Sequence, residues 1–260
     1  VDSSDGHEDA RKRAVIAYDA ARGRLVAHNA SDRTWEFDGS SWHDLPPSRP
    51  RARNKAASTY DPVRKRAIFF GSVTDPSDAT WEWDGTSWKR GAPAPTSVAT
   101  GLAMTYDTRR SRAVVISDQG QTWEYDGTAW VDAGPVPGFS SLLAYDEARG
   151  VTVALIGTNT WTWDGTSWQQ IMVDGPTSVR DSVLTYDSVR ERIVRFGGYT
   201  DGTGNSQIDE TWEWDGSAWT LMSPASRPSA RGGHAMAFDA KRGLVVLYGG
   251  YRHNEVWEYD

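Results

Sequence analysis

The stretch "TWEWDGTSW" from Thr80 to Trp88 places three tryptophans in nine residues, and close copies of it recur along the chain. The copies are "TWEFDGSSW" from Thr34, "TWEYDGTAW" from Thr122, "TWTWDGTSW" from Thr160, "TWEWDGSAW" from Thr211 and a partial "VWEYD" from Val256. All 14 tryptophans of the sequence lie in these units. The alternation within each unit predicts a β-strand with its aromatics on one face, and the Asp-Gly that follows predicts a hairpin turn.

A second motif precedes each tryptophan unit. It is an aromatic-Asp pair followed by a basic turn and a β-branched run, as in "TYDTRRSRAVVIS" from Thr105. Its aromatic residue recurs at intervals of 39 to 52 residues, at Tyr18, Tyr60, Tyr106, Tyr145, Tyr186 and Phe238. A repeat of this length with alternating apolar residues is typical of β-propeller blades, whereas helical repeats would show a period of about 3.6 residues.

The two motifs together predict an all-β fold, a six-bladed β-propeller of four-stranded antiparallel blades that spans residues 1–260 as a single domain. The predicted blades cover residues 13–45, 56–91, 101–133, 140–172, 181–222, and 233–260 with 1–4. Strand A ends in the aromatic-Asp pair, strand B is the β-branched run, and strands C and D carry the tryptophans. Because the sixth copy lacks its closing tryptophan, we expect the N-terminal segment Val1–Ser4 to supply the outer strand of blade 6 and close the ring.

The tryptophans could be either structural residues or a row of exposed binding platforms. A fully buried indole removes about 150–250 Å² from water, roughly 4–6 kcal/mol before entropic costs. The residues recur at the same strand positions, where one blade faces the next. We therefore predict that they pack between neighbouring blades.

These residues resemble the kelch-repeat β-propellers. The resemblance lies in hydrophobic runs that end in Gly-Gly ("VRFGGY" from Val194, "VVLYGG" from Val245), in the tryptophan strands, and in "ARGGHAMAFD" from Ala230. The diglycine is reduced or absent in the other blades, and the "WEWDG" type is similar to bacterial kelch-like proteins. The resemblance implies a propeller scaffold, with six-bladed sugar-acid epimerases as a precedent for an enzyme.

Composition excludes several classes of function. The formal net charge of −7 argues against a nucleic-acid partner, and no apolar run is long enough to predict a membrane span. The absence of cysteine excludes disulfides and thiolate metal sites. We predict a monomer without a cofactor. The start at Val1 without a signal peptide suggests trimming, and a secreted or extracellular bacterial protein is our hypothesis for its origin.

The two faces of the predicted ring differ in how alike the blades are. The first face carries the strand A–B turns and the Asp-Gly C–D turns, where we expect exposed ion pairs worth about 0–1 kcal/mol each. The Asp of each aromatic-Asp pair is expected to cap its turn. The second face carries the B–C loops and the D–A crossings, which differ between copies. Function on a repeat scaffold usually lies on such variable loops.

Candidate functional residues lie on the second face. Arginines near matching positions of the D–A crossings are candidate ligand-binding residues: Arg11, Arg53, Arg180 and Arg231. The histidines of this face, expected to be adjacent in blades 6 and 1, are His7, His28, His234 and His253, and the last three are also candidate ligand-binding residues. An arginine fork suits a carboxylate, although pairing with neighbouring acids is an equally good explanation. His28 and His234 are candidate acid–base residues, and no spacing typical of a metal site is present.

Our first hypothesis is a binding module that presents the second face to a protein, peptide or glycan ligand, with an anionic group favoured. The alternative is an enzyme that acts on an anionic small molecule or sugar acid, in an epimerase or mutarotase-like reaction, at the mouth of the central channel. A purely structural part of a longer protein is the third. An enzyme predicts a pocket with a histidine or glutamate of shifted pKa, whereas a binder predicts exposed aromatic or apolar loop tips.

Overall fold

The computed structural model describes residues 15–28, 33–45, 56–71, 79–94, 101–117, 119–138, 142–177, 180–201, 206–251, 253 and 255–260. These residues form 23 β-strands, arranged as six antiparallel sheets whose strands follow chain order. Within the same ranges there is no helix of the length and apolar character needed to cross a membrane.

The sheets are the blades predicted from the repeats. Blade 1 consists of β1 (Val15–Asp19), β2 (Arg24–His28), β3 (Thr34–Phe37) and β4 (Trp42–Asp44). Blade 2 consists of β5 (Ala57–Asp61), β6 (Arg66–Phe70), β7 (Thr80–Trp83) and β8 (Trp88–Arg90). Blade 3 consists of β9 (Gly101–Asp107), β10 (Arg112–Ser117), β11 (Gln121–Tyr125) and β12 (Trp130–Pro135).

The remaining blades repeat this order. Blade 4 consists of β13 (Leu143–Asp146), β14 (Val151–Ile156), β15 (Asn159–Trp163) and β16 (Trp168–Ile171). Blade 5 consists of β17 (Val183–Asp187), β18 (Arg192–Phe196), β19 (Thr211–Trp214) and β20 (Trp219–Met222). Blade 6 has three strands among the described residues: β21 (His234–Asp239), β22 (Leu244–Gly249) and β23 (Val256–Tyr259).

The blades form a closed ring around their A strands. Each A strand contacts the next, and β1 of blade 1 contacts β21 of blade 6. A buried apolar cluster that includes Ile16, Trp35 and Val246 joins these two blades. The prediction of a six-bladed propeller is thus confirmed. The predicted pairing of Val1–Ser4 with blade 6 lies outside the described residues.

The tryptophans pack between blades, as predicted. None of the 14 is exposed, and the least accessible, Trp214, retains 1 % of its surface. The ring of Trp130 in blade 3 lies 4.5 Å from that of Phe70 in blade 2, and Trp42 of blade 1 lies 4.7 Å from Tyr248 of blade 6. Because these contacts join different sheets, they stabilise the ring rather than the single blade.

A hydrogen bond fixes the closing tryptophan at three junctions. The indole N–H of Trp130 donates to Thr80 of the preceding blade over 3.0 Å. Trp168 donates in the same way to Thr122 (2.8 Å), and Trp219 donates to Thr160 (2.9 Å). The threonine is the first or second residue of strand C, and its hydroxyl accepts the indole N–H of the next blade. This explains why the repeat starts with Thr-Trp.

A carboxylate at the centre of strand C makes a second bond between blades. Glu82 of blade 2 accepts a hydrogen bond from the phenol of Tyr125 in blade 3 at 2.9 Å. Burial of the phenol, together with the negative charge of Glu82, raises the pKa of Tyr125 to about 12. The equivalent bonds are Trp83 to Glu36, Trp163 to Glu124 and Tyr259 to Glu213, at 2.7–3.0 Å. At these four junctions the last aromatic residue of strand C therefore donates to the glutamate of the blade before it.

The arginines of the A–B turns join this network from within each blade. Arg64 donates to Asp61 at 2.7 Å and to Glu82 at 2.6 Å. Burial alone would lower the pKa of Arg64, but its bonds to the two carboxylates raise it. The aspartates equivalent to Asp61 are 0–5 % exposed, and each pairs with a turn arginine at 2.6–2.9 Å: Asp19, Asp107, Asp146, Asp187 and Asp239.

This arrangement corrects one expectation. The first face was expected to hold only exposed ion pairs of little energetic value. It does hold such pairs, as between Arg112 and Asp126, but one arginine of each A–B turn also reaches a buried aspartate. The predicted capping role of the aspartates is confirmed, since Asp187 also accepts the backbone N–H groups of Val189 and Arg190. Removing one member of such a buried pair typically costs about 3–5 kcal/mol, because the other charge remains without a partner.

The turn glycines leave room for these arginines. Gly127 of blade 3 has φ +93°, a conformation that glycine adopts easily, and a Cβ there would lie within 3 Å of the Arg64 guanidinium of blade 2. Gly165 has the same relation to Arg110 of the blade before it. The Asp-Gly turn therefore serves both hairpin geometry and contact between blades.

The hydrogen bond between Trp168 and Thr122 predicts a measurable effect. Thr122→Val keeps the side-chain shape but leaves the indole N–H without its acceptor, so we expect a loss of about 1–3 kcal/mol of unfolding free energy. Thr211→Val is the matched control, because no indole donates to Thr211 among the described residues and Val256 occupies the equivalent position in blade 6. Chemical denaturation measures both; equal losses would contradict the role of this bond.

Candidate functional site

The second face of blades 5 and 6 contains most of the predicted site residues that the structure describes. It is built from the loop that follows β18 and the crossing that leads into β21. The backbone N–H of Gly198 donates to the carbonyl of Arg231 at 2.8 Å, and Ile208 donates to Gly198 at 3.0 Å. These bonds attach the loop of blade 5 to the start of blade 6. The two blades therefore form one continuous surface.

Arg231 is a structural residue at the centre of this surface. It is completely buried, and its guanidinium donates to the Ser229 carbonyl, the Ser229 hydroxyl and the Gly249 carbonyl at 3.0–3.1 Å. It also forms an ion pair with Glu255 at 2.6 Å. These bonds use the guanidinium N–H groups of Arg231, which was predicted to hold an anionic ligand.

His253 belongs to the same arrangement. Its Nδ1 lies 3.4 Å from Glu255 Oε1, the oxygen that Arg231 contacts, and the histidine is half-buried. Glu255 is 39 % exposed. The carboxylate thus pairs with Arg231 and lies beside His253. Pairing of the arginines with neighbouring acids was the alternative to ligand binding that the sequence left open.

His234 begins β21 and is 4 % exposed. Its ring packs edge-on against Phe196 with centroids 5.5 Å apart. Burial, followed by the positive charges of Arg231 and Arg195, lowers the pKa of His234 to about 3, although the nearby backbone of Phe196 opposes this. The imidazole is therefore neutral at physiological pH. Neither ring nitrogen makes a hydrogen bond of acceptable geometry in the described part of the chain.

Arg180 lies on the outside of the same surface. Its backbone forms a two-way bridge with Tyr199 (2.9 and 3.0 Å), while its side chain is exposed and has no ion pair within the described ranges. The next residue, Asp181, has φ +54°, a strained conformation for a side chain other than glycine. Tyr251 is 54 % exposed, and its backbone N–H donates to the carbonyl of Gly232. The ring of Tyr199 packs against the same glycine.

His28 lies at a different junction from His234. It is 1 % exposed between blades 1 and 2, where its ring centroid lies 6.0 Å from those of Phe69 and Trp88. Its Nδ1 is 3.1 Å from the hydroxyl of Thr34. The histidine therefore occupies the position of a packed aromatic, and the structure does not bring it together with the histidines of blade 6.

The other candidates, Arg11, Arg53 and His7, lie outside the described residues. So does the central part of the long polar loop of blade 5, residues 202–205. Among the residues that the structure does describe, no group of three or more His, Asp or Glu side chains is arranged to hold a metal ion.

Sequence reasoning missed Arg195, which lies in β18 and is fully buried. Its Nε is 3.3 Å from the Ser182 hydroxyl, and its Nη2 donates to the Gly197 carbonyl at 3.2 Å. Burial lowers the pKa of Arg195 to about 10, so the side chain keeps its charge at neutral pH. The sequence contained a signal for it, because the equivalent strand positions of the other blades are apolar: Ala27, Phe69, Val115, Ala154 and Leu247.

No known protein family and no curated protein sequence matches the chain. Solved structures share the fold. The structure of YjhT has a TM-score of 0.71 at 12% identity, over 96% of this chain and 98% of that one. A chain of the nidogen/laminin complex has a TM-score of 0.57 at 12% identity, over 79% and 76%. YCF48 bound to D1 peptide has a TM-score of 0.53 at 15% identity, over 93% and 77%. The resemblance to the kelch family stays a prediction.

The contrast between Arg231 and Arg180 gives a stability prediction. Arg231→Met removes a buried guanidinium with four hydrogen bonds, so we expect a loss of about 3–5 kcal/mol in unfolding free energy. Arg180→Ala changes an exposed side chain and should stay within about 0.5 kcal/mol of wild type. Denaturant titration of both variants measures the difference. A small loss for Arg231→Met would contradict its structural role.

Proposed function

We propose that this protein is a binding module whose second face, at blades 5 and 6, holds a protein, peptide or glycan ligand with an anionic group. The observation that carries the proposal is Arg180, an exposed arginine with no ion pair in the described part of the chain. Turn arginines of the first face, by contrast, pair with aspartates in their own blades, as Arg64 does with Asp61. An exposed guanidinium without an ion pair among the described residues is suited to a ligand carboxylate or sulfate.

The surroundings of Arg180 support a broad contact rather than a deep pocket. Tyr199 and Tyr251 lie along the same surface, joined through the backbone of Gly232. Tyrosine is frequent at interfaces because it combines a large apolar ring with a polar hydroxyl. The backbone of Arg180 is fixed by its two hydrogen bonds with Tyr199 at 2.9 and 3.0 Å.

The fold is compatible with a polypeptide ligand. Two of the similar solved structures contain a second polypeptide, the nidogen/laminin complex and YCF48 with D1 peptide. At 12–15% identity these similarities show the fold alone, so the proposal depends on the surface around Arg180.

The alternative, an epimerase or mutarotase-like enzyme for a sugar acid, receives less support. Its candidate acid–base residues, His28 and His234, are 1 % and 4 % exposed. A general base must come within hydrogen-bond reach of the substrate proton, and these rings lie within the seams between blades. The low pKa of His234 also makes it a weak base at neutral pH.

The binding proposal predicts a charge-reversal effect at Arg180. Wild-type protein is tested against arrays of acidic glycans and acidic peptides, and the affinity of the best ligand is then measured for Arg180→Glu. We expect at least a tenfold loss of affinity, because a favourable charged contact becomes repulsive. Arg112→Glu is the control, an arginine that is 36 % exposed on the first face, and should change the affinity less than twofold.

Two results would contradict the proposal. One is that no acidic glycan or peptide binds at any ionic strength. The other is that a ligand binds with equal affinity to wild type and to Arg180→Glu. Raising the salt concentration should weaken the wild-type interaction, because dissolved ions screen exposed charges. The screening length is about 8–10 Å near physiological ionic strength and becomes shorter as salt is added.

A further inference from the structure

A groove lies between blades 5 and 6, beside β23. It has a volume of about 410 Å³ and is partly open to solvent. Most of its lining is apolar, and it includes Val194 and Phe196 of blade 5 and Leu247 and Tyr259 of blade 6. Among the described residues β23 pairs only with β22, so the other edge of β23 borders the groove.

The lining of the groove matches the site that holds Trp130 at the junction of blades 2 and 3. There the Trp130 ring lies 4.5 Å from that of Phe70 and 4.9 Å from that of Tyr125. Its indole N–H donates to Thr80 over 3.0 Å. The residues at the same repeat positions in blades 5 and 6 all line the groove: Phe196, Tyr259 and Thr211. The groove therefore has the walls and the hydrogen-bond acceptor of a tryptophan site.

The tryptophans of this chain are all used elsewhere. Each of the 14 lies at its own repeat position in a described strand, and none of these positions is the one in blade 6 that corresponds to Trp130. The segment Val1–Ser4, which is predicted to pair with β23, contains no aromatic residue. Tyr259 is accordingly half-buried, whereas Tyr125, which stacks on Trp130, is 1 % exposed.

The edge of β23 is also acidic. Glu258 is 42 % exposed, and Asp260 is exposed. In blade 2 the equivalent acids face a basic residue of the outer strand, since Lys89 lies opposite Glu82 in register and 3.7 Å from Asp84. Opposite charges on neighbouring strands stabilise the pairing. A strand with a basic residue directly after its tryptophan is therefore suited to this edge.

We propose that a tryptophan-containing strand of a second polypeptide adds to the edge of β23. Its indole fills the groove and donates its N–H to the hydroxyl of Thr211, and the basic residue that follows faces Glu258. Strand addition supplies backbone hydrogen bonds, while the groove selects the side chain. The site does not use Arg180 and takes a basic rather than an anionic ligand, so it goes beyond the proposed function.

The probe is a peptide with the sequence of residues 84–92, "DGTSWKRGA", which contains the turn and the outer strand of blade 2. Its binding to the whole chain is followed by chemical-shift titration, and we expect saturation at one peptide per chain. The Trp88→Ala peptide should bind at least about tenfold more weakly, because a buried tryptophan is commonly a dominant contact. The Lys89→Glu peptide should bind roughly two- to fivefold more weakly, because it places like charges opposite each other.

A variant of the protein tests the hydrogen bond. Thr211→Val keeps the shape of the side chain and removes the acceptor, so the wild-type peptide should bind it about fivefold or more weakly. Thr220→Val is the matched control, an exposed threonine on β20 that does not line the groove, and should change the affinity less than twofold. The bound peptide should slow amide hydrogen exchange in β23, because pairing engages backbone N–H groups of that strand.

Four outcomes would overturn the inference. One is that the peptide does not bind, which is expected if Val1–Ser4 or a second copy of the chain occupies the edge of β23. The others are equal affinity for the Trp88→Ala peptide, unchanged affinity in Thr211→Val, and binding that leaves exchange in β23 unaltered. Binding of acidic ligands through Arg180 is measured separately, so either proposal can fail while the other stands.

Discussion

The propeller depends on a buried carboxylate shared between blades. Glu82 accepts Arg64 from its own blade and Tyr125 from the next, and Glu36, Glu124 and Glu213 repeat this arrangement. A buried carboxylate needs both a counter-charge and hydrogen-bond donors. Here the arginine of the same blade supplies the charge and a hydrogen bond, and the neighbouring sheet supplies a further donor. At these four of the six junctions a charged group lacks one of its donors until the next blade is in place, so the ring is more than a set of stacked hydrophobic surfaces.

The sequence predicted the fold because the constraints that define it repeat. Alternating aromatics, Asp-Gly turns and β-branched runs recur in each copy, so local patterns and global architecture agree. The energetic role of the first face was harder to predict. Arg64 belongs to a turn that looks solvent-exposed in sequence, and only the structure shows that its guanidinium reaches the buried Asp61 and Glu82. Exposure is a property of tertiary geometry, which residue type alone does not contain.

The candidate site was predictable in location but not in detail. Variation between copies drew attention to the second face, where Arg231, His234 and Arg180 lie. Their environments differ because Arg231 is enclosed by Ser229, Gly249 and Glu255, whereas Arg180 points outward. Arg195 was missed because it lies within a strand, although an arginine at a position that is apolar in the other blades was visible in the alignment of repeats. Comparing each repeat position across blades finds such residues, whereas searching for clusters of charged residues does not.

The central claim is that the shared carboxylate couples neighbouring blades, and a double-mutant cycle tests it directly. Unfolding free energies are measured for Glu82→Gln, Tyr125→Phe and the double variant; phenylalanine already occupies the equivalent position as Phe37. The effect of Glu82→Gln on Arg64 is common to both arms and cancels. The account predicts a coupling energy of about 1–2 kcal/mol between the two sites. Losses that add to within about 0.3 kcal/mol would show that the blades do not depend on this bond.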